Sequence, residues 1–153
     1  MIKIDMKKNI SLIIFIFIFS CKNKNIEVTS ISQTTYGVDS LKIKVKNTGD
    51  ITAYDELYHS FKDSNEAESI DSIMVYSKIM SKKYNYKNAY LHYFDAICEK
   101  NNINPHEDFS DINLNKIDYS LRNEAIICLK KMLDGKIISK NDFDKIMNNM
   151  SNE

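Results

Sequence analysis

The chain has 153 residues, with 21 basic and 21 acidic side chains that leave a formal charge of zero. That balance argues against a nucleic-acid partner, which wants a strong positive field, and against electrostatic attachment to a membrane surface. One proline and three glycines are few helix breakers, and the length past a short leader suits one domain with one core. The abundance of Asn, Lys and Ile reads as nucleotide bias rather than function.

Lys7-Lys8-Asn9 precedes an apolar run, Ile10 to Phe19, which is followed by Ser20 and Cys21. A run of about ten residues is too short for a bilayer span of roughly 20, and it suits the 7–15 residues of a secretory leader. Met6 is an alternative start to Met1. Ile18-Phe19-Ser20-Cys21 resembles the lipobox of bacterial lipoproteins. That resemblance implies a leader at 1–20, cleavage before Cys21, a diacylglycerol on the Cys21 thiol and acylation of the new amino group. Several chains are needed for lasting attachment, since each buried methylene contributes about 0.8 kcal/mol. Lys22 stands where an aspartate favours inner-membrane retention in some bacteria, which points to the outer membrane of the cell envelope. Removing the leader leaves 18 basic against 20 acidic residues. The competing readings are an ordinary cleaved leader with an incidental cysteine, or an uncleaved apolar segment.

Residues 21–38 read as a flexible tether, polar and without helical period, and 39–150 as a helical domain. Asp39 or Ser40 is placed to cap a short helix over Leu41 to Lys46, ended by Asn47-Thr48-Gly49. Asp50 caps a second helix with Ala53, Leu57 and Phe61 at intervals of four. A third spans Glu68 to Lys83 and stops at Tyr84-Asn85-Tyr86. A fourth runs from Lys87 to Lys100. Asn101 to Ile112 is irregular, with Pro105 disfavouring helix at Asn104. A fifth helix, Asp118 to Leu133, carries the stripe Leu121, Ala125, Leu129, Met132, and Gly135 supplies a left-handed stop. Ser139 and Asp142 form a capping box for a last helix bearing Phe143, Ile146, Met147 and Met150. The fold class is all-α.

Gly49-Asp50-Ile51-Thr52-Ala53-Tyr54-Asp55-Glu56-Leu57, then Tyr76 to Tyr84, then Asn85-Tyr86-Lys87-Asn88-Ala89-Tyr90 resemble tetratricopeptide-like helical hairpins. The helix ending at Leu133-Asp134-Gly135 is similar to a partial third copy. The resemblance implies an irregular stack of hairpins that bury together a face none buries alone; a small helical bundle is the alternative.

No catalytic constellation stands out. His59, His92 and His106 lack zinc-ligand spacing, although His92 and Asp95 share a helix face. Asp108, Asp111, Asn113, Asn115 and Asp118 echo a calcium loop, but Lys116 and Arg122 occupy its turn and bidentate positions. Asp134-Gly135-Lys136-Ile137 is a second echo, without ligands at Lys130 and Met132. No phosphate loop or nucleophile elbow appears. The reading is therefore no catalytic residue, no metal and no cofactor. Cys98 and Cys128 lie on apolar faces, as buried hydrophobes or as a bridge between packed helices. Tyr84, Tyr86, Tyr90 and Tyr93 cluster at one helix junction, with Tyr54, Tyr58 and Tyr76 nearby if the hairpins stack. Their roles are packing or a partner groove.

The expectation is a lipid-anchored envelope protein that binds a protein or peptide and catalyses nothing, one form being an immunity-type inhibitor. Its membrane contact is through Cys21, and its candidate partner residues are Tyr84, Tyr86, Tyr90 and Tyr93. The alternatives are a structural envelope lipoprotein without a specific ligand, and a small hydrolase or metal binder.

Overall fold

Among the described residues, six α-helices form where the 3.6-residue period of apolar side chains is strongest: α1 (Val38–Thr48), α2 (Ile51–Lys62), α3 (Ser69–Lys82), α4 (Lys87–Lys100), α5 (Tyr119–Asp134) and α6 (Lys140–Ser151). The structure, a computed structural model, describes residues 37–64, 68–106 and 109–151. The expected leader at 1–20, Cys21 and the part of the expected tether before Gly37 lie outside the described residues. Among the described residues there is no strand, so the molecule is all-α.

Local chemistry sets most of the boundaries. Asp50 accepts from the Ala53 amide at 2.9 Å and starts α2. Asp118 accepts from the Ser120 and Leu121 amides and starts α5. Ser139 Oγ accepts from the Asp142 amide and donates to the Asp142 carboxylate at 2.6 Å, a reciprocal box at the start of α6. Each bond from a backbone amide satisfies a helix-end donor that has no partner within the helix.

Two boundaries differ from the sequence reading. Helix α1 begins at Val38 with Gly37 in the cap position, so Asp39 lies inside the first turn, where its charge suits the helix dipole. Gly135 ends α5 in a right-handed conformation, φ −76°. The left-handed residue is Lys136, φ 59°. The Ile137 amide reaches back to the Met132 carbonyl at 2.8 Å, which fixes the overshoot one residue later than expected. Asn85 and Asn102 take the same conformation after α3 and α4.

Successive helices pack on one another, α1 also touches α3, and α6 rests on α5 and on two 3₁₀ turns, Phe109–Asp111 and Leu114–Lys116. The tightest pairing is α3 with α4, along which Ser77, Ser81, Ala89 and Ala96 are buried. Small side chains let the two backbones approach. The apolar interior is divided in two. One core joins Leu41, Val45, Tyr54, Leu57, Tyr76 and Met80 across α1–α3. The other gathers Phe94, Ile97, Leu129, Met132 and Ile146 from α4–α6 with Ile112, Leu114 and Ile117 from the irregular segment.

That segment is therefore not a surface loop. Ile103, Ile112, Leu114 and Ile117 are buried, and three of its carbonyls accept from side chains. Arg122 donates to the Asn115 and Ile117 carbonyls at 2.9 Å, and Asn149 to the Ile112 carbonyl at 3.3 Å. Cys98 and Cys128 sit in the second core as free, buried thiols. Burial pushes each up to about 12, with nearby carboxylates adding to the effect, so neither is a ready nucleophile.

Candidate functional site

The α1–α2 and α3–α4 turns lie side by side. Gly49 adopts φ 65°, and a Cβ built there falls 2.4 Å from the Tyr84 ring, so the ring seats directly on the glycine. Two donors converge on the last turn of α1: Tyr84 Oη and Lys83 Nζ both reach the Lys46 carbonyl at 2.9 Å. That carbonyl is one of the helix-end acceptors lacking an intrahelical partner. The turns thus form one rigid rim around a pocket of about 500 Å³, lined by Ile51, Met80, Tyr84, Tyr86, Lys87 and their neighbours. Ile51, the first residue of α2, is 49 % exposed there. Tyr86 holds the far wall: its ring meets Tyr54 edge-on, centroids 5.7 Å apart, and its hydroxyl donates to the Asp55 carboxylate at 3.4 Å.

The four tyrosines expected to share a surface separate here. Tyr84 and Tyr86 are half-buried and line the pocket. Tyr90 is 7 % exposed, and its hydroxyl donates to Asn85 Oδ1 at 3.0 Å; Tyr93 is 1 % exposed and belongs to the second core. Tyr84 and Tyr86 precede α4, Tyr86 as its extended cap residue, whereas Tyr90 and Tyr93, three apart inside the helix, share its packed face. A partner can reach the first pair and not the second. Tyr76 lies apart, stacked 5.9 Å from Phe61.

A second arrangement was not legible in the sequence. Tyr54 Oη lies 2.8 Å from Ser77 Oγ and 2.8 Å from His92 Nδ1, while the Tyr58 ring stacks on His92 at 3.7 Å and 5°. These side chains bridge α2 and α4. Lys62 adds an ion pair to Glu99 at 2.6 Å. Burial, reinforced by the neighbouring His59 and Lys62, holds His92 down at about 4, so the imidazole is neutral at pH 7 and accepts or donates at Nδ1. Ser77 and Tyr54 are buried, while His92 and Tyr58 are partly exposed. The sequence signal was limited to Tyr54 and Tyr58 being four apart; nothing local points to residue 92.

Asp95 lies one turn beyond His92 and is 7 % exposed. Burial raises its carboxyl to about 6, with His106 opposing and Glu99 adding to the shift. His106 Nε2 sits 3.8 Å from Glu99 Oε1. On the other side of α4, burial pushes the Glu124 carboxyl up, but Lys82 and Lys78 overcome it and hold it below its ordinary value. Asn113 Oδ1 is taken by the Asn115 amide at 2.8 Å, which turns the expected calcium echo into a local cap. Among the described residues no three His, Cys, Asp or Glu side chains gather as metal ligands. No described helix is long and apolar enough to cross a membrane.

No protein-family model, no curated protein and no solved structure matches this chain.

Proposed function

We propose that this chain is a lipid-anchored envelope protein, attached through Cys21, whose tetratricopeptide-like helical domain binds a protein or peptide and catalyses nothing. The anchor rests on the sequence around Lys7-Lys8 and Cys21. The binding role rests on one observation: two abutting turns frame a concave pocket in which Ile51, Tyr84 and Tyr86 offer apolar surface to the outside. Tyrosine and isoleucine at the centre of a concavity, with polar groups around them, are the composition of an interface anchor. No other chemistry competes at this pocket, since its lining supplies no acid–base pair and no nucleophile with an adjacent base. Orientation towards the outer membrane follows from Lys22 at the position after the cysteine.

The test uses the full-length protein purified in detergent. Mass spectrometry of the mature terminus is expected to begin at an acylated Cys21. Immobilised protein is expected to retain a protein from envelope extract and to lose it when Ile51→Asp and Tyr86→Ala are combined with the circular dichroism unchanged. Retention that survives both substitutions, or an intact leader, would refute the proposal.

A further inference from the structure

Helices α2 and α4 are joined through a short file of polar side chains. Tyr54 Oη stands between Ser77 Oγ of α3 and His92 Nδ1 of α4, 2.8 Å from each. The Tyr58 ring lies flat on the imidazole, centroids 3.7 Å apart. Ser77 and Tyr54 are buried, and the Ser77 hydroxyl has no other partner among the described residues. His92 Nε2 has no partner among them either, and it reaches solvent. A phenol hydroxyl carries one proton, so Tyr54 donates to one neighbour and accepts from the other. If His92 donated at Nδ1, Tyr54 would turn its proton to Ser77, and the serine proton would be stranded without an acceptor in a buried site. If Ser77 donates to Tyr54 and Tyr54 to Nδ1, every buried proton is used, and the imidazole proton sits on Nε2, where water can receive it.

We infer that the file runs one way, from Ser77 through Tyr54 to a bare His92 Nδ1, and that it forms a latch between α2 and α4 which acid opens. A second proton on the imidazole turns Nδ1 into a donor facing the donor hydroxyl of Tyr54. Either that bond breaks, or the file reverses and strands the buried serine proton; both weaken the joint. From α2, Lys62 and, once protonated, His59 oppose a charged imidazole, while Asp55 is held by the Tyr86 hydroxyl. From α3 comes the uncharged Ser77. On α4 itself, Glu99 is bound to Lys62 at 2.6 Å. Asp95 takes up a proton as pH falls through about 6, so its charge fades before His92 titrates at about 4. His106, beyond α4, faces Glu99 and acts on Asp95.

Full-length protein in detergent, carrying isotope-labelled histidine, is read by nitrogen NMR, with the His92 signals assigned by their loss in His92→Phe. At pH 7 the imidazole proton is expected on Nε2, with Nδ1 bare. A proton on Nδ1 at that pH would overturn the inference in the parent protein, whatever the variants do. The latch is read by hydrogen exchange resolved by peptide and corrected for intrinsic rate, in Asp95→Asn, which removes the opposing carboxyl. From pH 7 to pH 4 the opening that exposes α2 amides should become about 100-fold more populated relative to α5, because a group held at about 4 when latched and 6.5 when released gives that factor. Adding His92→Phe keeps a ring against Tyr58 without a titrating group, and should flatten that response. An acid response that survives His92→Phe, or equal loss of protection in α2 and α5, would overturn the latch.

Discussion

Gly49 carries two independent constraints, and replacing it with alanine tests both. Its φ of 65° lies in the left-handed region, where an L side chain costs about 1–2 kcal/mol. The new methyl would also stand 2.4 Å from the Tyr84 ring, well inside van der Waals contact. The ring is not free to swing away, because its hydroxyl is bonded to the Lys46 carbonyl at 2.9 Å. Displacing it forfeits about 1 kcal/mol of hydrogen bonding or leaves a strained contact of about 1–3 kcal/mol. Gly49→Ala should therefore destabilise the protein by about 2–5 kcal/mol, read as a lower urea midpoint by circular dichroism at constant slope. Gly37→Ala is the internal comparison: nothing lies within 4 Å of its Cβ, and the loss of a glycine cap costs under about 1 kcal/mol. Combining Gly49→Ala with Tyr84→Ala removes the collision but not the backbone strain, so the double change should cost less than the sum of the two. Equal midpoints for Gly49→Ala and Gly37→Ala, or strict additivity with Tyr84→Ala, would refute the reasoning.

Tyr54→Phe removes the hydroxyl shared by Ser77 and His92 and leaves a fully buried serine without that partner; a loss of about 1–3 kcal/mol is expected by chemical denaturation, with the ring stack on His92 preserved in the near-ultraviolet spectrum. The pH dependence involves two opposed groups. His92 is depressed in the folded state, so its contribution is complete above about 6.5 and is lost as pH falls through about 4. Asp95 is raised, so its contribution is complete below its unfolded value and is lost as pH rises through about 6. The two largely offset between these limits. Asp95→Asn removes one side of the balance. The stability of that variant relative to the parent should fall by about 2–3 kcal/mol from pH 7 to pH 4, and a difference that stays flat across urea titrations at these pH values would sink this account.

The helices were legible because apolar residues recur with the period of one turn and because caps are local: Asp50, Asp118 and the Ser139–Asp142 pair each act within three residues. The stop after α5 was misplaced by one residue. Glycine was given the left-handed role on intrinsic preference, while the chain takes that turn at Lys136, where the Ile137-to-Met132 bond closes. Asn101 to Ile112 reads as irregular because it has no period, yet Ile103 and Ile112, like Leu114 and Ile117 just beyond it, are interior. The tyrosines mislead for a related reason. Nearness along the chain puts Tyr84, Tyr86, Tyr90 and Tyr93 in one group, whereas packing assigns two to a rim and two to a core. The contact of Tyr54 with His92 spans 38 positions and leaves no trace in local pattern.

Dividing the interior between α1–α3 and α4–α6 gives the molecule two grades of protection rather than one. The smaller set of apolar contacts guards α1 and α2, and the larger set guards α5 and α6. Amide hydrogens in α1 and α2 would then exchange through an opening that leaves α5 intact, at a lower free energy than whole-chain melting. A pull transmitted through the N-terminal segment would be absorbed first by the weaker partition, and the remainder would survive to re-template it.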